Sequence, residues 1–342
     1  MKILFKYFFL AVPVGVLFSC SSKVDNRSTK MINVLIVDGQ NNHGIWPKTT
    51  IMMKDYLEQS GSFNVDVIRT KYLWQGPHHN EVEEAPDISM LLELYDIDSD
   101  QEYISLTETK MDSLYNPNFS KYDVVISNFG WKTAPWPDHT KLKFEEFIES
   151  GGGLVVIHAA DNAWPEWSSF NEMIALGGWG GRNEKDGPYV YYNDEGKIIR
   201  DTIKGNAGGH GPQHEFLITT RADDHPIMKG LPKQWLHTKD ELYDRLRGPA
   251  TNMIILATAY SDKDQHKGTG RHEPALMAIK YGEGRIFHST LGHMDYSMEC
   301  VGFITTFLRG VEWAATGEVI HSDIPNDFPN DQSTSSRKYR KK

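Results

Sequence analysis

Short apolar segments of strand character alternate with segments of helical periodicity, and this alternation limits the fold more than any other feature of the sequence. Residues Met31–Asp38 are apolar and β-branched, and Pro47–Ser60 follow with apolar residues at helical spacing. Residues Tyr122–Asn128 predict another buried strand, and Asp138–Ser150 predict an amphipathic helix. Continuous apolar strands separated by helices are typical of parallel sheets. We therefore predict an α/β domain with a mostly parallel sheet and helices on both faces.

Two long segments interrupt this pattern. Residues Lys71–Ser120 and Gly177–Gly211 are too long for ordinary connections and predict long inserted loops, the first of them an insertion that passes over the sheet. The α/β domain is then expected over residues 31–318. A C-terminal tail is expected over residues 319–342, with Ser333–Lys342 frayed and solvated.

The N-terminal residues predict an export signal. Lys2 and Lys6 accompany the apolar run Ile3–Phe18, which is too short for a helix that remains in the bilayer. The residues before Cys20 are similar to a bacterial lipobox, which predicts a signal peptide over residues 1–20 and lipidation of Cys20. Residues 21–30 then form a flexible tether, and the protein is expected in the periplasm or on the cell surface, anchored to the membrane. Secretion without a lipid anchor is the alternative.

Composition excludes several classes of function. The 342 residues carry 36 Lys and Arg against 46 Asp and Glu, a formal net charge of -10, which argues against a nucleic-acid partner. The two cysteines, Cys20 and Cys300, are too few for a thiolate metal cluster. Cys300 falls in the predicted last helix, away from any strand end. A nucleophile would be expected at a strand end. The 14 histidines are left as the main candidates for metal binding and proton transfer.

Two histidines follow predicted strands, where α/β sheets bind their ligands. His43 lies in a glycine-containing loop after the first strand, and His158 ends the segment Gly151–His158. Small residues after His158 favour a sharp turn that displays its side chain, and Asp161 is predicted to orient its ring. We assign His43, His158 and Asp161 as catalytic candidates. A buried, hydrogen-bonded His158 is the alternative.

His210 and His214 are four residues apart, a spacing that can bring two imidazoles to one metal. Pro212 and the neighbouring glycines forbid a helix here, so a turn would have to bring the two rings together. One option is that these two residues bind a divalent metal such as zinc. His210 is also a substrate-binding candidate, and His214 is a candidate base. The alternative is that His214 begins a strand and points into the core.

Further substrate-binding candidates come from the remaining strand ends and loops. Asp240 and Glu241 are adjacent carboxylates, a pattern that is also common on solvated surfaces, and His293 follows a predicted strand. Trp46 and Trp164 are the main candidates for stacking on sugar rings. Other tryptophans near the predicted loops are Trp131, Trp136 and Trp179.

Taken together, these segments resemble the ThuA-like, or trehalose-utilisation, family of the class I glutamine amidotransferase-like superfamily. The resemblance covers roughly Asn33–Gly317 and rests on segments that occur in this order: Val34–His43, Gly151–His158, His225–Pro232, Asp240–Tyr243 and Gly284–His293. It implies a flavodoxin-like, doubly wound fold and a role in carbohydrate metabolism. Relatives in the superfamily carry a cysteine at the strand-end turn. His158 stands there in this sequence, which excludes glutaminase chemistry.

Histidines and carboxylates suit proton abstraction or metal polarisation of a carbonyl or carboxylate. We therefore predict a secreted enzyme that acts on oligosaccharides or modified sugars, such as uronic acids or keto-sugars, by elimination, with His158 or His214 as the base. One alternative is a glycoside hydrolase that uses Asp161, Asp240 and Glu241. Another is a lipoprotein that binds glycans without catalysis. The expected partners are a carbohydrate and, through the lipid anchor, a membrane.

Overall fold

The described residues fold around one large sheet. The computed structural model describes residues 31–76, 87–264 and 267–341, together with Met1. Within them the strands are β1 (Ile32–Asn41), β2 (Phe63–Gln75), β3 (Ile104–Leu106), β4 (Val124–Ser127), β5 (Gly153–Ile157), β6 (Tyr189–Tyr192), β7 (Ile198–Asp201), β8 (Gly209–His210), β9 (His214–Thr220), β10 (Gln234–Asp240), β11 (Tyr243–Asp244), β12 (Met253–Ser261), β13 (Arg271–Tyr281) and β14 (Gly284–Ser289). The helices are α1 (Trp46–Gln59), α2 (Ile88–Leu94), α3 (Asp138–Glu149), α4 (Ser168–Ile174), α5 (Asp295–Met298) and α6 (Val301–Thr316).

Neighbouring strands from β14 through β5, β4, β1 and β2 to β3 are parallel. The chain builds β1, β2 and β3 toward one edge and then returns to place β4 and β5 on the other side of β1. The strand order therefore reverses between β1 and β4, the position at which such sheets bind ligands. The predicted α/β fold with a doubly wound, flavodoxin-like parallel sheet is confirmed.

Antiparallel strands continue the sheet beyond β14. They follow in the order β13, β12, β9 and β10. The hairpin of β6 and β7 attaches to β13, and β8 and β11 form a separate pair. This part of the sheet brings residues between His214 and Ser261 alongside the parallel strands.

Each face of the sheet carries its own hydrophobic core. Val34 and Ile36 of β1 pack with residues of α1 and α6 on one face, and Leu35 and Val37 pack with residues of α3 and α4 on the other. Successive residues of a strand point to opposite faces. A strand covered on both faces is therefore apolar throughout, which is why continuous apolar runs predicted the parallel strands correctly.

The predicted insertion begins later than expected. β2 continues to Gln75 instead of ending before Lys71, and residues 104–106 form β3, which extends the sheet at its edge instead of passing over it. Ile88 of α2 packs with Trp46 and Leu73 in a small third core. Residues 77–86 of this segment lie outside the described residues.

The C-terminal residues are bound to the domain. The backbone amides of Leu236 and Val301 donate to the carbonyls of Asn330 and Ser335 at 2.7 and 2.9 Å. The Tyr339 hydroxyl donates to Asp55 Oδ2 at 2.7 Å. The expectation of a frayed tail is therefore wrong for residues 333–341, because main-chain hydrogen bonds hold this segment in place.

The predicted signal peptide, tether and lipidated Cys20 fall within residues 1–30, which lie outside the described residues apart from Met1. In the part of the chain that the structure describes, none of the helices has the length and apolarity needed to cross a membrane. Export and anchoring stay predictions.

Because the carboxyl group of Glu273 on β13 is buried, we predict that the protein loses stability as the pH rises. Burial raises its pKa from 4.5 to about 7; a hydrogen bond from Thr269 opposes this shift, and the charge of Asp244 adds to it. The folded chain therefore keeps a proton that the unfolded chain releases, so the free energy of unfolding falls as the pH rises between these two pKa values.

We expect this fall to be about 3 kcal/mol, and we expect Glu273→Gln to remove it. Urea unfolding of both proteins at about pH 4.5 and about pH 8 measures the effect. Equal pH dependence in the two proteins would contradict the assignment.

Candidate functional site

Three of the predicted histidines meet beyond the carboxyl ends of the parallel strands. His43 follows β1, His158 follows β5 and His293 follows β14. Because β14, β5, β4 and β1 are neighbours in the sheet, the loops after them emerge at the same edge. The ring of His43 lies 5.0 Å from that of His158 and 4.5 Å from that of His293, measured between centroids. The fold thus gathers side chains that are far apart in the sequence.

Amide groups and a glycine fix the loop that carries His43. Asn41 accepts the backbone N–H of His43 at 2.9 Å and donates to the Phe129 carbonyl at 3.0 Å. The β1 strand has a register shift at Gly39, where φ is +130° and a Cβ atom would lie 2.1 Å from Thr70 Oγ1. Glycine alone fits this position without strain. The end of β1 is thereby aimed toward the loop after β4.

His158 occupies a strained turn directly after β5. Its φ is +46°, a left-handed conformation that is rare outside glycine and that concentrates at functional sites. The His158 Nδ1–H donates to the Thr290 carbonyl at 2.7 Å, so Nε2 is the ring atom left to interact with the site. The ring is buried, as the alternative interpretation proposed, and Nε2 faces His293 and Glu241.

Glu241 reaches the histidines from the antiparallel part of the sheet, directly after β10. Its neighbour Asp240 accepts the backbone N–H groups of Glu241, Gly292 and His293 at 2.9, 2.8 and 3.0 Å. His237 donates to the same carboxylate from Nε2 at 2.8 Å. Asp240 was expected to bind substrate. It is instead fully buried and positions two residues of the site.

Cys300 lies beneath this network. It precedes α6 instead of lying within the last helix, and it is fully buried. Burial alone would lower the pKa of His237, but Cys300 and Asp240 raise it to about 10. These neighbours favour the charged form of His237, and its hydrogen bond lowers the pKa of Asp240 although burial acts in the opposite direction. The network keeps Asp240 ionised.

The side chains of His43, His158, Glu241 and His293 form one buried group, which we call the His3Glu cluster. One ligand atom of each lies within 4.8 Å of those of the others. His293 Nδ1 is 3.2 Å from His158 Nε2 and 3.2 Å from Glu241 Oε2, and His158 Nε2 is 3.6 Å from Glu241 Oε2. Among the described residues this is the group of His, Cys, Asp and Glu that can hold a metal ion.

The His3Glu cluster holds Glu241 as a carboxylate. Burial alone would raise its pKa, but hydrogen bonding to His158 and His293 and their Coulombic attraction bring the pKa well below its usual value. The charged form is the one that binds a cation. The cluster therefore combines three imidazoles with one negative charge.

Comparison with known proteins identifies the family of the chain. The sequence model of the family ThuA, described as trehalose utilisation, matches residues 33–314. The chain belongs to the ThuA family. The crystal structure of a ThuA-like protein from Parabacteroides merdae ATCC 43184 shares 41% sequence identity, covering 90% of this chain and 98% of that one, with a TM-score of 0.75.

A more distant ThuA-like structure, from Bacteroides uniformis ATCC 8492, is 15% identical to this ThuA-family chain. The match covers 88% of this chain and 98% of that one, with a TM-score of 0.51, and shows likeness of fold alone. No curated protein was found to match the chain.

A cavity of about 240 Å³ opens onto the His3Glu cluster of this ThuA-family protein. Its lining residues are Asn42, His43, Trp131, Asn162, Trp179, His210, Glu241 and Tyr243. A second void of only about 10 Å³ is lined by His43, His158 and His293 among others, and it has room for one water molecule or ion at most. The cluster therefore borders both the cavity and this small void.

A larger groove of about 840 Å³ lies at the opposite end of the sheet, beside Asp123 before β4 and Gly152 before β5. It contains none of the residues predicted for the site. Because ligands of such folds bind at the carboxyl ends of the strands, we assign the site to the smaller cavity.

His210 lines the cavity but does not belong to the His3Glu cluster. Its Nδ1 atom lies 2.8 Å from the Gly211 carbonyl and 3.5 Å from Glu241 Oε1. The side chain is 38% exposed. His210 is therefore placed to contact a substrate, as predicted. It does not belong to the metal-binding group of side chains.

His214 points away from the cluster. It begins β9 opposite Asp240, its Nδ1 lies 2.8 Å from the Pro212 carbonyl, and its ring packs against Phe216. It does not line the cavity. Neither His210 nor His214 belongs to the His3Glu cluster, so the predicted pair is not the group of metal-binding side chains found among the described residues.

Asp161 does not orient His158, contrary to the prediction. It is fully buried, and its Oδ2 lies 3.2 Å from Nε2 of His288, whose Nδ1–H donates to the Ile174 carbonyl at 2.9 Å. Asp161 therefore pairs with His288 and does not line the cavity.

The two tryptophans chosen for sugar stacking are core residues. Trp46 and Trp164 are 1% and 2% exposed, and the Trp46 indole donates to the Trp74 carbonyl at 3.0 Å. Trp131 and Trp179, which are partly exposed, line the cavity instead. The substrate-binding roles predicted for Trp46 and Trp164 are wrong, because both rings are needed to fill the core.

Sequence reasoning missed three polar residues of the cavity: Asn42, Asn162 and Tyr243. Each is adjacent or close to a residue that was predicted, namely His43, Asp161 and Glu241. A search of the positions beside strand-end histidines and carboxylates would have found them.

Replacement of Asp240 tests its positioning role. Asp240→Asn leaves one carbonyl oxygen for four donors and adds an N–H₂ group that has no acceptor, so we expect a loss of about 3–5 kcal/mol in the free energy of unfolding. Urea unfolding measures it. The matched control, exposed Asp138→Asn, should leave stability unchanged, and a stable Asp240→Asn protein would contradict the assignment.

Proposed function

We propose that this ThuA-family protein is a metal-dependent enzyme that acts on carbohydrates by elimination. The spacing of ligand atoms in the His3Glu cluster carries the proposal. A cation that binds several atoms at about 2.0–2.2 Å places neighbouring ligand atoms about 3.0–3.5 Å apart. The two spacings of 3.2 Å lie in that range, the 3.6 Å between His158 Nε2 and Glu241 Oε2 is slightly above it, and the ligand atom of His43 lies within 4.8 Å of the others.

The donor set favours a transition metal such as zinc. Imidazole nitrogens suit zinc and its neighbours, whereas magnesium and calcium prefer oxygen. His158 also has the outer hydrogen bond, from Nδ1 to the Thr290 carbonyl, that commonly orients a metal-binding imidazole. His43 and Glu241 line the open cavity. A cation held by the His3Glu cluster would therefore be within reach of a molecule bound in that cavity.

Two observations support a carbohydrate substrate. The description of the ThuA family is trehalose utilisation. The cavity combines the tryptophans Trp131 and Trp179 with the side-chain amides of Asn42 and Asn162. Aromatic rings and hydrogen-bonding amides together suit the apolar face and the hydroxyl groups of a sugar.

The proposed reaction starts at a hydrogen next to the carbonyl of a keto-sugar or the carboxylate of a uronic acid. A cation held by the His3Glu cluster would polarise that oxygen and so acidify the neighbouring C–H bond. A base of the chain takes the proton, and the C–O bond at the next carbon breaks with its electron pair leaving on oxygen. This oxygen gains a proton and departs as water or an alcohol, which leaves a carbon–carbon double bond in the sugar.

His210 is best placed to be that base. It lines the cavity, and donation from its Nδ1–H to the Gly211 carbonyl at 2.8 Å leaves a lone pair on Nε2. His158 belongs to the His3Glu cluster, and His214 lies outside the cavity. We therefore propose His210 as the base, in place of His158 or His214, which the sequence analysis predicted.

Hydrolysis by two opposed carboxylates has less support. Of Asp161, Asp240 and Glu241, only Glu241 lines the cavity, whereas that mechanism needs two carboxylates on either side of the bond. Capture of a glycan without catalysis stays an outcome of the experiments below. We also propose that the enzyme is exported and anchored through Cys20, on the basis of residues 1–20.

Removal of a metal ligand tests the His3Glu cluster. We expect the zinc-loaded protein to hold about one equivalent by elemental analysis, and Glu241→Gln to weaken zinc affinity at least about tenfold. The matched control is Glu312→Gln, since Glu312 is an equally buried glutamate outside the cluster. Failure to retain zinc, or full turnover after chelation, would contradict the metal site.

Replacement of the base tests the reaction. On uronate- or keto-sugar-containing oligosaccharides, His210→Asn should lower turnover about 10²–10⁴-fold while zinc is retained, and His214→Asn should change it less than about twofold. Product mass and alkene absorbance report elimination. Gain of water with bond cleavage would indicate hydrolysis, and an unchanged bound ligand would indicate capture alone.

A further inference from the structure

We infer that the cavity admits a single sugar ring, so that the protein acts on a free monosaccharide or on the terminal residue of a chain and not on internal residues. This inference rests on the proposed function for the identity of the ligand as a sugar. The inference concerns the shape of the cavity, which is independent of the reaction proposed above.

The size of the cavity is the first argument. Pockets that bury drug-sized ligands have volumes of about 300–1,000 Å³, and this one has about 240 Å³. It is therefore suited to one ring with its hydroxyl groups. A second ring would have to remain outside.

The small space at the His3Glu cluster is the second argument. The cavity reaches His43 and Glu241, and the void lined by His43, His158 and His293 has a volume of only about 10 Å³. Nothing larger than a water molecule fits in that void. A ring that reaches the cluster through the cavity therefore has its remaining chain directed toward solvent.

The rigid walls are the third argument. Trp179 has a left-handed backbone with φ of +49°, its amide donates to the Ala207 carbonyl at 3.1 Å, and its ring packs against Tyr243 at 4.8 Å between centroids. The backbone N–H of Trp131 donates to Asn42 Oδ1 at 2.7 Å. Walls held in this way resist widening into a groove that accepts several rings.

The polar lining supplies partners for sugar hydroxyl groups. Asn162 is buried, and its Oδ1 atom has no hydrogen-bond partner in the described part of the chain. The Tyr243 hydroxyl accepts a hydrogen bond from Asn162 Nδ2 at 3.3 Å and also carries a hydrogen that it can donate. An unsatisfied acceptor at the edge of a cavity is stabilised by a ligand that donates to it.

The first experiment uses the zinc-loaded protein and calorimetry. Probes are glucose, glucuronate and an oxidised methyl glucoside, each alone and at the end of unbranched chains of two and four rings. We expect at least one single ring to bind, with affinity changing less than about threefold as rings are added. A rise of about tenfold or more per added ring, or no binding by any single ring, would overturn the inference.

Capped chains separate the two ends. We expect a methyl ether at one terminus of the bound tetrasaccharide to abolish binding and the same cap at the other terminus to leave it unchanged. Binding that survives both caps shows that internal residues enter the site and contradicts the inference. Binding of a free ring only, without any chain, identifies a monosaccharide as the ligand.

Variants of the wall test how the ring is held. Trp131→Ala should weaken single-ring binding about tenfold, and Trp131→Phe should restore it to within about threefold because an aromatic face is retained. Trp313→Phe, in α6 and outside the cavity, is the matched control. Wild-type affinity in a folded Trp131→Ala protein would remove Trp131 from the site.

The outcomes distinguish this inference from the proposed function. Single-ring binding without product at any zinc loading contradicts the enzyme and leaves the inference intact. Turnover of a chain that is capped at both ends contradicts the inference and leaves the enzyme intact.

Discussion

The site depends on the buried carboxylate of Asp240. Its two oxygen atoms accept hydrogen bonds from the backbone of Glu241, Gly292 and His293 and from the ring of His237. These bonds join the end of β10, in the antiparallel part of the sheet, to the loop after β14, in the parallel part. Without that connection, Glu241 and His293 would belong to independent loops. A buried charge with four donors is stable because every lone pair is used.

The rest of the scaffold directs histidines to the same place by simpler means. The two hydrophobic cores hold the parallel strands in a continuous layer, and three strands end in His43, His158 or His293 within a few residues. Backbone strain at His158 and the bulge at Gly39 aim the side chains. This chain therefore assembles a candidate cation site from strand ends, with the His3Glu cluster at the sheet edge and the walls of the cavity on loops.

The sequence was a good guide to what is local and repetitive. Apolar runs predicted the parallel strands, and the position of histidines after those runs predicted that His43, His158 and His293 would lie at one edge. It was a poor guide to pairing between distant polar residues. Asp161 is three residues from His158 and yet contacts His288, because the short turn after β5 directs its carboxylate beneath the sheet edge. Proximity in the chain does not give the direction of a side chain.

Composition, periodicity and ordered motifs by themselves determined the α/β class, the parallel sheet, the resemblance to the ThuA family and the histidines at strand ends, since each depends on residues close in sequence. Only the tertiary structure decided that Glu241 completes the His3Glu cluster, that His214 is excluded, and that Trp131 and Trp179 line the cavity while Trp46 and Trp164 fill the core. The reason is physical. Burial and ligand geometry depend on how separate strands pair, and the connection of β9, β10 and β12 to the parallel strands through β13 is set by packing across the whole sheet.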